Sequence, residues 1–162
     1  MPDPESPALR FAARWLWLAW LLGGTLRALL VVFSDGTLDV PIWQAHARSI
    51  SERGLVATYR GGPYLFNHPP LAGLLEARLW ELCQATGLPF RVALRAPTAL
   101  IDAGTTWLLV QLLARSGSRR LRDSRHLLGA LYWLSPLAIL FSAQHGNTDP
   151  AVACSLLGAL LL

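Results

Sequence analysis

An all-α, polytopic transmembrane fold with two amphipathic surface helices in its first external loop is what this sequence predicts. Three observations carry that expectation. Of 162 residues, 53% are hydrophobic and only 15% charged, against about 25% charged in an ordinary soluble domain. The apolar residues fall in runs, and 127–143 contains no charge at all. The positive charge sits between the runs, with five arginines against one acid over 115–125. A soluble globule, a disordered chain and a secreted disulfide scaffold are thereby excluded. Cys83 and Cys154 are too few for a disulfide framework and have no metal-ligand spacing. A net charge of +4 invites a nucleic-acid reading. The arginines lie where membrane topology explains them, so the expected partner is the lipid bilayer and not nucleic acid.

The elements follow in order. A bilayer core needs roughly 20 apolar residues as a helix. Phe11 to Phe33 supplies the first span, with Trp15, Trp17 and Trp20 at one end as interfacial anchors. The run is too long for a signal-peptide core and lacks a cleavage site, so it reads as an uncleaved anchor. Residues 34–91 form a long external loop. Within it, Pro41 to Arg53 sets Trp43, Ala47 and Ile50 on one face and Gln44, Arg48 and Glu52 on the other, with Gly54 as the stop. Leu71 to Gly87 repeats the pattern, with Leu71, Leu74, Leu75, Leu79 and Leu82 on one side. Its Glu76, Arg78 and Glu81 would each cost about 2.5–3.5 kcal/mol at a bilayer centre, so it is expected to lie on the surface. Val92 to Ala114 is the second span, Leu127 to Ala143 the third, interrupted by Pro136, and 151–162 begins a fourth. Residues 1–162 thus read as the N-terminal part of one longer membrane domain.

Orientation follows from arginine density. The short 115–125 loop belongs in the cytoplasm, as does the N-terminus, where Arg10 and Arg14 agree; 34–91 then lies outside. That places Asp35, Asp39, Asn67-His68-Pro69-Pro70, Arg95 and the segment Gln144 to Pro150 on one external face. An acid there can take a proton from an attacking hydroxyl, and a guanidinium fork matches a lipid phosphate. Each residue also has a plainer reading. Asp39 could be an N-cap or a first-turn acid favoured by the helix dipole, and His68-Pro69-Pro70 could be a rigid turn that starts a helix. Arg95 could pair with Asp102 on its own helix face, and Arg27 could snorkel outward. Asn147 to Pro150 could be a capped turn.

The order of these features resembles the N-terminal part of a GT-C type glycosyltransferase, a membrane enzyme that takes sugar from a polyprenyl-phosphate donor. The similar elements are the first span, the acids of Ser34-Asp35-Gly36-Thr37-Leu38-Asp39, and the surface helix that opens Val40-Pro41-Ile42-Trp43. Asn67-His68-Pro69-Pro70-Leu71 resembles the His/Lys-Pro-Pro-Leu of protein O-mannosyltransferase and aminoarabinose-transferase relatives. Ala93-Leu94-Arg95-Ala96-Pro97 follows, and Gln144 to Pro150 looks like the polar loop of dolichyl-phosphate-sugar mannosyltransferases. The adjacent Asp-Glu pair of protein O-mannosyltransferases is absent.

The resemblance implies an integral, multi-pass membrane protein of the cell envelope, in the plasma or inner membrane if the source is bacterial. It would transfer a hexose or pentose with inversion to a hydroxyl acceptor on a glycan, lipid or protein. Asp39 would be the catalytic base, with Asp35 as runner-up. His68 and Arg95 would hold the phosphate, and His145, Asn147 and Asp149 would line the sugar or acceptor pocket. A divalent metal on Asp39, His68 and Asp149 is a possible cofactor of such chemistry. Two other classes compete: a transporter or channel fragment with Arg27, Arg95 and Asp102 along its path, and a non-catalytic scaffold subunit.

Overall fold

The computed structural model describes residues 7–61 and 64–162, with side chains from residue 16 onward, so Arg10, Arg14 and the Trp15 indole lie outside the described residues. The described chain is helical and contains no strand, in agreement with the all-α part of the expected fold class; its polytopic part is a correction at the second span, since 92–114 does not pass as a membrane span. Its elements are α1 (Pro7–Phe33), α2 (Asp39–Arg53), α3 (Leu55–Gly61), α4 (Pro70–Thr86), α5 (Phe90–Ala114), α6 (Arg119–Trp133), α7 (Pro136–Ile139), a π-helical turn (Leu140–His145) and α8 (Asp149–Leu161).

Proline and glycine set most of the boundaries. Pro70 occupies the first turn of α4, where a missing N–H costs nothing, and Gly87 ends the helix with a positive φ of 74° and its N–H on the Cys83 carbonyl. Gly54 ends α2 in the same manner, donating to the Ile50 carbonyl. Helices are therefore present at the two amphipathic segments, with ends shifted by at most two residues from the expected ones, and α3 is an additional helix. The expected arginine loop 115–125 is a correction. It shortens to a turn, because α6 begins at Arg119 and carries Arg119, Arg120, Arg122 and Arg125 on a helix. Arginine and leucine are good helix formers, so the helix starts well before its apolar part.

Ser135, extended before Pro136 (φ −59°, ψ 125°), breaks the third apolar run. The two halves, Arg119–Trp133 and Pro136–His145, meet at 51°. Among the described residues Leu16–Phe33 is long and apolar enough to cross a membrane by itself, and the bent pair passes the same test only when taken together. At 13 residues, α8 is apolar but short.

Helix α5 lies at the centre, against α1, α6, α8 and the π-helical turn, while α2 and α4 pack on each other and on its N-terminal part. Val40, Trp43, Ala47, Cys83, Phe90 and Leu94 form the core of that second group. Around α5 the polarity is reversed. The buried side chains include Arg27, Arg95, Asp102, Thr105, Thr106 and Ser142, whereas Leu21, Leu100, Leu131, Leu137, Leu156 and Leu160 face outward.

Candidate active site

The site forms where α1 ends and α2 begins. Ser34 closes α1 with its N–H and its hydroxyl on the Leu30 carbonyl, at 3.1 and 2.6 Å. Gly36 then turns the chain with φ +85°. A Cβ there would lie 2.6 Å from Val40 Cγ2 and 3.0 Å from the Gln144 carbonyl, so glycine is required for both conformation and space. The turn delivers Asp39 to the first turn of α2.

On the opposite side, the π-helical turn delivers His145 to the same place, and Gly146 follows it in the left-handed region. His145 Nε2 lies 2.8 Å from Asp39 Oδ2, and Nδ1 lies 3.1 Å from Thr37 Oγ1. Asp39 is not a helix cap: no side chain caps α2, whose N-cap is Leu38. Asp39 is the acid of the first turn instead, and its carboxylate meets the imidazole. The pair remains accessible, with side chains 43% exposed for Asp39 and 30% for His145.

Arg95 binds the two halves together. Its Nε donates to the Arg91 carbonyl, Nη1 to Ser34 Oγ and the Ala143 carbonyl, and Nη2 to the Val31 and Ser34 carbonyls. A guanidinium has five N–H donors, and five acceptors meet them. The side chain is fully buried. Two expectations are corrected here. Arg95 does not pair with Asp102, and it has no donor left for a phosphate. Instead it knots the end of α1 to the π-helical turn, which brings His145 against Asp39. Arg91, one turn earlier, keeps its donors: Nη1 is only loosely placed at 3.6 Å from Asp35 Oδ1, and Nε has no acceptor. Asp35 itself is 98% exposed.

His68 stacks on Trp43 with ring centroids 4.0 Å apart, and its carbonyl accepts the Tyr59 hydroxyl. Burial, then the nearby His46, pull its pKa below the ordinary 6.5, and the Asp39 carboxylate works the other way. Asp39 and His68 therefore share one electrostatic neighbourhood. Asn147 and Asp149 bond to each other, with Nδ2 to Oδ2 at 2.8 Å. Asp149 borders a cleft of about 240 Å³ whose lining also includes Asp102, Tyr132 and Phe141. The structure thus brings Asp39 and His145 together with Thr37, leaves His68 stacked on Trp43, and sets Asn147 and Asp149 to one side. Among the described residues no three His, Cys, Asp or Glu side chains converge to hold a metal ion, so the set Asp39, His68 and Asp149 is not assembled.

Arg27 does not snorkel. It donates from Nε to Asp102 Oδ2 at 3.0 Å and from Nη1 to the Trp133 carbonyl at 2.8 Å. Asp102 also accepts from Tyr132 and Ser142. Thr37, Arg91 and Ser34 were not singled out from the sequence. Arg91 had a signal, lying four residues before Arg95 on the same helix face. Thr37 had none beyond its place between two acids.

No family model, curated protein or solved structure matches the chain.

Proposed function

We propose that the protein is a GT-C type membrane glycosyltransferase, embedded by several helices, that moves a sugar from a polyprenyl phosphate to a hydroxyl acceptor at the membrane face bearing Asp39. The observation that carries this reading is the Asp39 carboxylate itself. One oxygen is held by His145 at 2.8 Å, and the group remains accessible at the position where the family resemblance implies the base. The reversed polarity around α5 supports the bilayer. A core helix of a soluble protein hides its apolar side chains, yet only 17% of the Leu16–Phe33 window is buried, and the buried residues include charged and hydroxyl side chains. That distribution suits lipid as the solvent. The closed Arg27–Asp102 pair and the saturated Arg95 give packing roles to the residues that a transport path would need.

In the reaction, the acceptor hydroxyl gives its proton to the second Asp39 oxygen as the acceptor oxygen bonds to the anomeric carbon. The bond from that carbon to the phosphate oxygen breaks on the opposite face, and its electron pair leaves with the lipid phosphate. Configuration inverts. Charge grows on the phosphate as it departs, and donors aimed at it lower the barrier. That role passes from Arg95 to Arg91, whose guanidinium has unspent donors.

The test is sugar transfer by the protein in its own membranes, with a radiolabelled polyprenyl-phosphate donor. A general base contributes roughly 10²–10⁴-fold, so Asp39→Asn is expected to lower turnover by that order at unchanged expression and melting temperature. Asp35→Asn, which alters a solvated carboxylate, is expected to be milder. Full transfer by Asp39→Asn would remove Asp39 as the base, and full transfer by both variants would make these acids structural.

A further inference from the structure

We infer that His145 is the positioning residue of the base, acting on the reaction only through Asp39 and not by touching sugar or acceptor. This rests on the reading of Asp39 given above. A neutral imidazole has one donor and one acceptor, and both are engaged. An ionised carboxylate accepts only, so the nitrogen at 2.8 Å from Asp39 Oδ2 must be the N–H. That leaves Nδ1 as the acceptor, and the Thr37 hydroxyl at 3.1 Å donates to it. Thr37 thus fixes the tautomer, and the tautomer fixes the carboxylate.

The consequence for the base is directional. Oδ2 is pinned, so the carboxyl plane cannot swing, and Oδ1 is the oxygen presented to an incoming hydroxyl. After Asp39 takes the proton, the imidazole N–H still has an oxygen to bond to, so the geometry survives the step. His145 is itself held from three directions. The π-helical turn sets its direction, and Gly146 allows Arg95 to pass, since a Cβ there would lie 2.9 Å from Arg95 Cγ. Arg95 in turn fastens the Ala143 carbonyl to Ser34. With both side chains about a third or more exposed, the pair contributes little to stability. Its loss is therefore expected to be read in rate.

The experiment measures kcat and donor KM in membranes for His145→Phe, His145→Gln and Thr37→Val, alone and with Asp39→Asn. A misplacement near 1 Å costs on the order of 10²-fold. His145→Phe is expected to lower kcat by roughly 10–100-fold with donor KM unchanged. His145→Gln, which keeps an N–H within reach, recovers most of that loss, and Thr37→Val gives a smaller loss of the same kind. In the Asp39→Asn background His145→Phe costs nothing more, because the group it serves is gone. A raised KM with kcat intact would overturn the inference in favour of direct substrate contact. Losses that multiply in the double variant would overturn it in favour of an independent role. If Asp39→Asn alone transfers normally, the base assignment fails before His145 is reached, and the two failures are told apart.

Discussion

Arg27 crosses from α1 to Asp102 on α5, and its guanidinium carbon lies 3.7 Å from the centre of the Trp133 ring. Both ions are almost wholly buried, and each is the other's counter-charge. Removing one partner of such a pair costs about 3–5 kcal/mol, because the survivor stays buried and unpaired. Arg27→Met is therefore expected to lower unfolding stability by that amount in thermal melts in detergent. Arg27→Met with Asp102→Asn is expected to recover a large part, since the neutral amide introduced there can accept from the Tyr132 hydroxyl with its oxygen and donate to Ser142 Oγ with its nitrogen. A double variant no more stable than the single one would show that charge is not the cause. The sequence exposed these two residues as costly but not as partners. Periodicity informs about neighbours within one helix, which is why Arg95 and Asp102 looked paired at seven residues. The true partner of Asp102 is 75 residues away, and no local spacing encodes that distance. His145 and Asp39 were singled out as separate groups for the same reason.

Helices α2 and α4 pack face to face, and Glu76 lies on the buried side of α4, 5% exposed, with Oε2 unpartnered. Burial pushes its pKa from 4.5 up to about 8. The native state therefore holds this proton up to about pH 8, while the unfolded chain releases it near 4.5. Stability contributed by the protonated group is complete below the lower value and is lost as pH rises through the window, by about 1.4 kcal/mol per unit. His68 works in the opposite sense, since its lowered pKa makes the native state gain on the unfolded chain as pH rises toward 6.5. The comparison of Glu76→Gln with the parent isolates Glu76. Their melting temperatures are expected to agree near pH 4.5 and to diverge steadily toward pH 8, with the variant higher. A constant offset across that range would deny the buried proton. Elements were more legible than contacts. The C-terminal ends of α2 and α4 are marked by Gly and the N-terminal ends of α4 and α5 by Pro, whose backbone constraints act locally. The six-residue π-helical turn was not legible. Its wider hydrogen bonding leaves no composition signature, and it takes over the end of the expected third span together with Gln144 and His145, leaving 146–148 as the connection to α8.

At the scale of the whole molecule, the proposal places Ser118 and the α2–α4 region on opposite sides of a membrane. Thr58 is buried and bonded to Ser49, so a probe belongs at Leu65, which is exposed. With Cys83 and Cys154 replaced by serine, Leu65→Cys is expected to react with an impermeant thiol reagent on intact cells. Ser118→Cys is expected to react only after permeabilisation. The reverse pattern would invert the molecule and move Asp39 to the other side. Helicity was legible in the apolar runs, although among the described residues Leu16–Phe33 alone passes by itself as a possible span. How those runs lock together was not legible, because it depends on a few buried donors. The five bonds of Arg95 have a consequence for biosynthesis. Val31 and Ser34 leave the ribosome ahead of Arg95, but Ala143 follows it by 48 residues. At about 5–20 residues per second, the guanidinium waits roughly two to ten seconds for its last carbonyl. During that interval its partners are the carboxyl end of α1 and the Arg91 carbonyl, so the first helix holds the guanidinium in place until the π-helical turn arrives.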